Sequence, residues 1–181
     1  MIQEALPKIA SLADAKIAWH FIGHLQTNKT KHIPGNFQWL HSIDNLKTAQ
    51  RVARVAVERK TTVNAFIEVN VTGDKNKHGV GTNELPTLME QLLASDLQGM
   101  ALCGLMALGP YPANESEIRA AFAKVRELRD QTSKQFSLTN FTELSIGMSG
   151  DYIEAVKEGA TQLRIGTSIF GERDYGAPDV T

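Results

Sequence analysis

A single cysteine, Cys103, stands in 181 residues, so no internal disulfide can form and a reducing compartment is the expected setting. Excess charge of either sign is also lacking: 19 Lys and Arg against 20 Asp and Glu leave a net charge of −1. That balance excludes the broad basic footprint of nonspecific nucleic-acid binding. No apolar run approaches the ~20 residues of a membrane-spanning helix, and Met1-Ile2-Gln3-Glu4 does not open a secretory signal. These lacks predict a soluble, cytoplasmic protein with neither membrane nor nucleic acid as partner. No linker, low-complexity segment or long repeat breaks the chain. The remainder is ordinary for one globular domain, with 42% hydrophobic and 22% charged residues and enough length for a sizeable core.

What is present alternates between two periodicities. Ile2, Leu6, Ile9 and Leu12 recur at helical spacing and predict a helix over Met1–Leu12. Ile17–Ile22 and Trp39–Ile43 read as strands, and Asp44 is expected to begin a helix through Glu58 with Leu46, Ala49, Ala53 and Val57 inward. Val63–Val71 carries the strongest strand signal and ends in the polar loop Thr72–Gly79. Thr82 or Asn83 is expected to cap the next helix, Leu102–Leu108 to form a strand, and Asn114 to cap a longer helix. Strands over Leu144–Ile146 and Leu163–Ile165 flank a helix over Tyr152–Glu158. Six strands with helical crossovers imply a parallel α/β sheet. A closed eight-stranded barrel takes ~250 residues. The sheet is therefore either open, or the later three-quarters of a (β/α)8 barrel that lacks two βα units. One domain is expected over 1–175, with 176–181 as a frayed polar tail.

The stretch Leu144–Tyr175 holds the chemistry. Ser149-Gly150-Asp151 follows one short strand and Gly166-Thr167-Ser168 the next, so both turns fall at the same end of neighbouring parallel strands. Each offers a hydroxyl, backbone N–H groups beside a glycine, and a helix start. That combination suits a phosphate dianion, as do the loops after the last two strands of α/β barrels. Gly147 and Gly166 would equally serve as plain turn residues, with Ser149 and Thr167 as caps, and spacing alone leaves both readings open. His20 and His41 alternate with apolar neighbours and are expected to be hydrogen-bonded interior histidines. His24 is placed to line a site mouth, while Lys75, Lys77 and His78 form a basic, solvated loop. No catalytic residue and no metal ligand is expected.

Several separated motifs carry a resemblance: WHFIGHLQTNKTK (Trp19–Lys31), WLHSID (Trp39–Asp44), FIEVNVTGDKNKHGV (Phe66–Val80), CGLMALG (Cys103–Gly109), LSIGMSGDY and LRIGTSIFGERDY. Together they resemble the pyridoxal phosphate homeostasis proteins, which look like the barrel domain of alanine racemase. The resemblance implies a partial (β/α)8 barrel of about six strands and pyridoxal 5′-phosphate (PLP) as the ligand. It implies that Ser149 and the backbone of Gly166 and Thr167 hold the phosphate, that Arg164 faces the pyridine nitrogen, and that Ser42 and Asn70 face the cofactor from strand ends. It also implies a non-catalytic role in PLP homeostasis, with PLP-dependent apo-enzymes as recipients. Racemase-type catalysis, or a phosphate-binding barrel enzyme that does not use PLP, are the alternatives.

One departure matters most. Members of the family hold PLP through a Schiff-base lysine on the first strand, within a valine-serine-lysine-threonine stretch, and no lysine of this sequence matches that position. Met1–Ala5 resembles the segment just after the second strand. The expectation is a truncated chain that binds PLP weakly through its phosphate and is prone to self-association along exposed sheet edges.

Overall fold

The computed structural model describes residues 2–172. Helix α1 (Ile2–Ser11) precedes strand β1 (His20–Phe21), a 3-10 turn (Thr27–His32), β2 (Trp39–Ile43) and α2 (Leu46–Glu58). Then come β3 (Val63–Asn70), β4 (Val80–Gly81), α3 (Leu85–Leu93), β5 (Met100–Met106) and α4 (Glu115–Gln135). Strand β6 (Glu143–Met148), α5 (Tyr152–Lys157), β7 (Gln162–Arg164) and α6 (Thr167–Phe170) complete the order. The main sheet runs β1-β2-β3-β5-β6-β7 with every pair parallel, while two-residue β4 pairs with the end of β3. Parallel strands need crossovers, and the helices supply them. The result is six parallel strands curled into a half-barrel with β1 and β7 at its open edges.

Strand β3 lies at the centre, and Ala65, Phe66 and Ile67 are fully buried. Odd-numbered residues of β3 join the apolar core with Val52, Ala56, Leu92 and Leu105. Among the even-numbered ones, Phe66 stands against His41 and Trp39. Burial on both faces explains why Val63–Asn70 places an apolar residue, Phe66, at an even position as well as apolar residues at the odd ones. Helix α2 starts where Asn45 Oδ1 accepts from Thr48 N–H at 2.9 Å. Asn114 and Glu117 form a reciprocal capping box at the start of α4, which buries Phe122 and Val125.

Most boundaries differ from the sequence expectation by one or two residues, helix α2 starting at Leu46 behind the Asn45 cap in place of Asp44, and three differences have a clear physical reason. The strand expected over Ile17–Ile22 shrinks to His20–Phe21, because an edge strand pairs on one side only, here with Trp39 and Leu40. Helix α3 is preceded by Glu84 rather than capped by Thr82 or Asn83; the Glu84 carboxylate instead accepts from Gly81 N–H at 3.2 Å. Asp151 precedes α5, yet its carboxylate does not cap that helix but reaches back to Met148 N–H at 2.5 Å. Residues 176–181, expected to fray, and Tyr175 lie outside the described residues.

Candidate cofactor site

The two corners after β6 and β7 meet. Ser149 Oγ accepts from Gly166 N–H at 3.1 Å and from Ser168 N–H at 3.3 Å. The hydroxyl oxygen thus sits where two amide dipoles converge, the position an anionic oxygen would take. Gly147 makes this approach feasible. Its φ of +92° belongs to the left-handed region, and a Cβ there would lie 2.6 Å from Ala155 Cβ and 2.9 Å from Leu163 Cδ2. Asp151 is buried and fixes the turn through Met148 N–H, so Ser149 projects toward β7.

Below this corner the concave face of the sheet is polar. Arg164 donates from one terminal nitrogen to the carbonyl (2.6 Å) and hydroxyl (2.8 Å) of Ser145, and from the other to the Ala107 carbonyl at 3.0 Å. Ser145 Oγ lies 2.8 Å from His41 Nδ1, and His41 Nε2 lies 2.9 Å from His20 Nδ1. Arginine only donates, so Ser145 Oγ accepts from it and keeps its own proton for His41 Nδ1; His41 Nε2–H then serves His20. One directional chain therefore crosses four strands. Burial, then His20 and Arg164, push the His41 pKa down to about 3, which keeps the imidazole neutral. Burial likewise lowers the pKa of Arg164, against the opposing pull of Asp151 and Glu68.

Glu68 completes the concave face, and no sequence signal marks it. It is 5% exposed, and burial together with Asp44 raises its pKa to about 7, with Arg164 opposing. Among the described residues, two buried side-chain oxygens, Glu68 Oε2 and Gln162 Oε1, have no hydrogen-bond partner. A cleft of about 490 Å³ opens between the two sheet edges, lined by His20, Ile22, His41, Leu163, Arg164 and Gly166 among others. Ser42 and Asn70 stand at strand ends but are engaged in shaping the rim. Ser42 Oγ donates to the Gly23 carbonyl at 2.7 Å. Asn70 Nδ2 donates to the Asp74 carbonyl at 2.7 Å, and its Oδ1 accepts from Gly73 N–H at 3.0 Å.

The alanine racemase N-terminal domain family matches residues 1–174. A pyridoxal phosphate homeostasis protein of Pseudomonas aeruginosa is 44% identical over 177 residues, covering 98% of this chain and 74% of the relative. The chain belongs to the pyridoxal phosphate homeostasis protein family. Among solved members, PipY of Synechococcus elongatus PCC7942 without PLP superposes with a TM-score of 0.87 at 37% identity, covering 94% of this chain and 79% of PipY. The same protein with PLP bound gives a TM-score of 0.82 at 34% identity over the same shares. Within this family, the described residues form a half-barrel of the alanine racemase N-terminal type whose polar concave face and amide corner lie beside one cleft. No helix among the described residues is long and apolar enough to cross a membrane.

Proposed function

We propose that this chain is a non-catalytic binding protein for pyridoxal 5′-phosphate, serving PLP homeostasis, that grips the cofactor by its phosphate. The observation that carries the reading is the Ser149 hydroxyl seated on the Gly166 and Ser168 N–H groups. That oxygen occupies the place proposed for a phosphate oxygen, and its two N–H donors support a fit to a tetrahedral anion. When bound, the cofactor supplies an electrophilic aldehyde to attacking amines. Ser149 then turns its hydroxyl from acceptor to donor and releases the two amides to the anion. Thr167, exposed at the first position of α6, adds a hydroxyl and an N–H. Arg164, held by the Ser145 and Ala107 carbonyls, presents a fixed positive charge that keeps the pyridine nitrogen unprotonated. Ser42 and Asn70 act through the rim loops they hold. The contacts that the described residues offer the cofactor are those to its phosphate and its ring.

PLP fluorescence titration tests this directly. Binding is expected, with competition by inorganic phosphate and no lysine adduct by mass spectrometry after borohydride. Ser149→Ala should weaken binding about tenfold, the loss of one charge-assisted hydrogen bond. Unchanged affinity in that variant would remove the phosphate grip, and racemisation of alanine above that by free cofactor would remove the non-catalytic reading.

A further inference from the structure

On the opposite side of the rim, three residues from three separate segments converge. His24 lies in the turn after β1, Asp44 directly after β2, and His78 in the loop between β3 and β4. One ligand-capable atom from each falls within 4.8 Å of the others. The His24 and His78 rings stack face to face, with centroids 4.0 Å apart and planes 12° apart. His24 Nδ1 is 4.0 Å from Asp44 Oδ2. From this geometry we propose that His24, Asp44 and His78 form a binding site for a divalent zinc-type cation, with water in the remaining positions.

The ligand chemistry selects the metal class. Two imidazoles and one carboxylate suit Zn2+ and its borderline neighbours, whereas Mg2+ and Ca2+ prefer oxygen alone. Bond lengths of about 2.0–2.2 Å put tetrahedral ligands about 3.3 Å apart, so no pair must close by more than about 1.5 Å. Both histidines are exposed and can turn about their side-chain torsions to do so.

Surrounding contacts hold the three segments in place. Asn45 Nδ2 donates to Asp44 Oδ1 at 2.6 Å, which leaves Oδ2 toward His24. An outer contact of this kind orients a metal-binding carboxylate. His78 is fixed from both sides. After it, Gly79 has a φ of +107° and passes so close to β3 that a Cβ would lie 2.8 Å from Asn70 N. Before it, Lys77 sends its ammonium away to the Gly109 carbonyl at 2.7 Å. The His24–His78 stack sets loop Thr72–Gly79 against the turn after β1, and a bound cation would tie the two together.

Isothermal titration of the whole chain with Zn2+, in a non-chelating buffer, tests the proposal. One equivalent should bind and excess Mg2+ should not displace it. His24→Ala, Asp44→Asn and His78→Ala should each weaken binding by at least about tenfold, since losing even an outer-shell partner costs 10–100-fold. His78→Phe keeps the ring stack and the loop while deleting the ligand nitrogen, and it should bind as poorly as His78→Ala. His32→Ala, outside the cluster, should bind like the parent. Absence of binding in the parent, displacement by Mg2+, or full binding by His78→Phe would each overturn the site.

Discussion

Replacing Glu68 by glutamine should make the protein more stable above neutral pH, although no favourable contact is added. Glu68 is 5% exposed with Oε2 unpartnered, and its pKa rises from 4.5 to about 7 through burial and Asp44, with Arg164 opposing. The folded state thus binds a proton that the unfolded chain has released between pH 4.5 and about 7, and stability must fall as pH rises through that window. A gap of about 2.5 pH units, at about 1.36 kcal/mol each, comes to about 3 kcal/mol, fully present above pH 7. Glutamine has nearly the same shape and no charge, so it abolishes this dependence. Urea unfolding of both proteins at pH 4.5 and pH 8 gives the double difference, in which every other titrating group cancels. The variant should gain about 3 kcal/mol on the parent across the interval. Parallel pH profiles would refute the reasoning, since they would mean that the buried carboxyl ionises as freely in the fold as in water.

His41 should act on the acid side. With its pKa lowered from 6.5 to about 3, stability is lost as pH falls below 6.5, and the parent should lose about 3 kcal/mol more than His41→Asn between pH 6.5 and 4 in urea titrations. Gly147→Ala should cost about 3 kcal/mol of unfolding free energy, combining a left-handed backbone with contacts at 2.6 and 2.9 Å. Because Gly147 sets the turn that projects Ser149, the same variant should bind PLP more weakly even where it stays folded, as fluorescence titration would show.

Strands and helix starts governed by local rules were legible in the sequence. Trp39–Ile43 matches its predicted bounds, and the Asn114 cap appears with its Glu117 partner. Ser149 and Gly166 could be placed at the same end of adjacent strands because a parallel βα repeat puts every such turn there, and the structure joins them by a hydrogen bond. The residues that escaped notice depend on assembly. Glu68 looks like a stray charge in an apolar strand until the sheet curls and sets it in the field of Arg164 and Asp44. His78 reads as part of a solvated basic loop because only the return of the chain at Gly79 brings it onto His24. No spacing rule links His24, Asp44 and His78, since each comes from a different βα unit. Strand β1 is shorter than expected for a related reason: the apolar run over Ile17–Ile22 reports β propensity, while pairing also depends on having a neighbour.

The concave face shows why a binding role suits this fold better than a purely structural one. A half-barrel built only for stability would fill its hollow with aliphatic side chains, as the convex side does with Val52, Leu92 and Leu105. Here the hollow holds an arginine, two histidines, a serine and a glutamic acid in the space between the strands. Burying such groups is costly unless each finds a partner. The chain from Arg164 through Ser145 and His41 to His20 meets that demand for four of them. Glu68 Oε2 and Gln162 Oε1 are left over, and Gln162 borders the same cleft as Arg164 and Gly166. An arrangement that satisfies most of its polar atoms internally and leaves the Gln162 acceptor unpaired beside a cleft has polar capacity to spare for a ligand. That is the physical reason to look for the cofactor here and not at the surface hollow along α4, where Arg119 and Arg126 already share the Glu158 carboxylate.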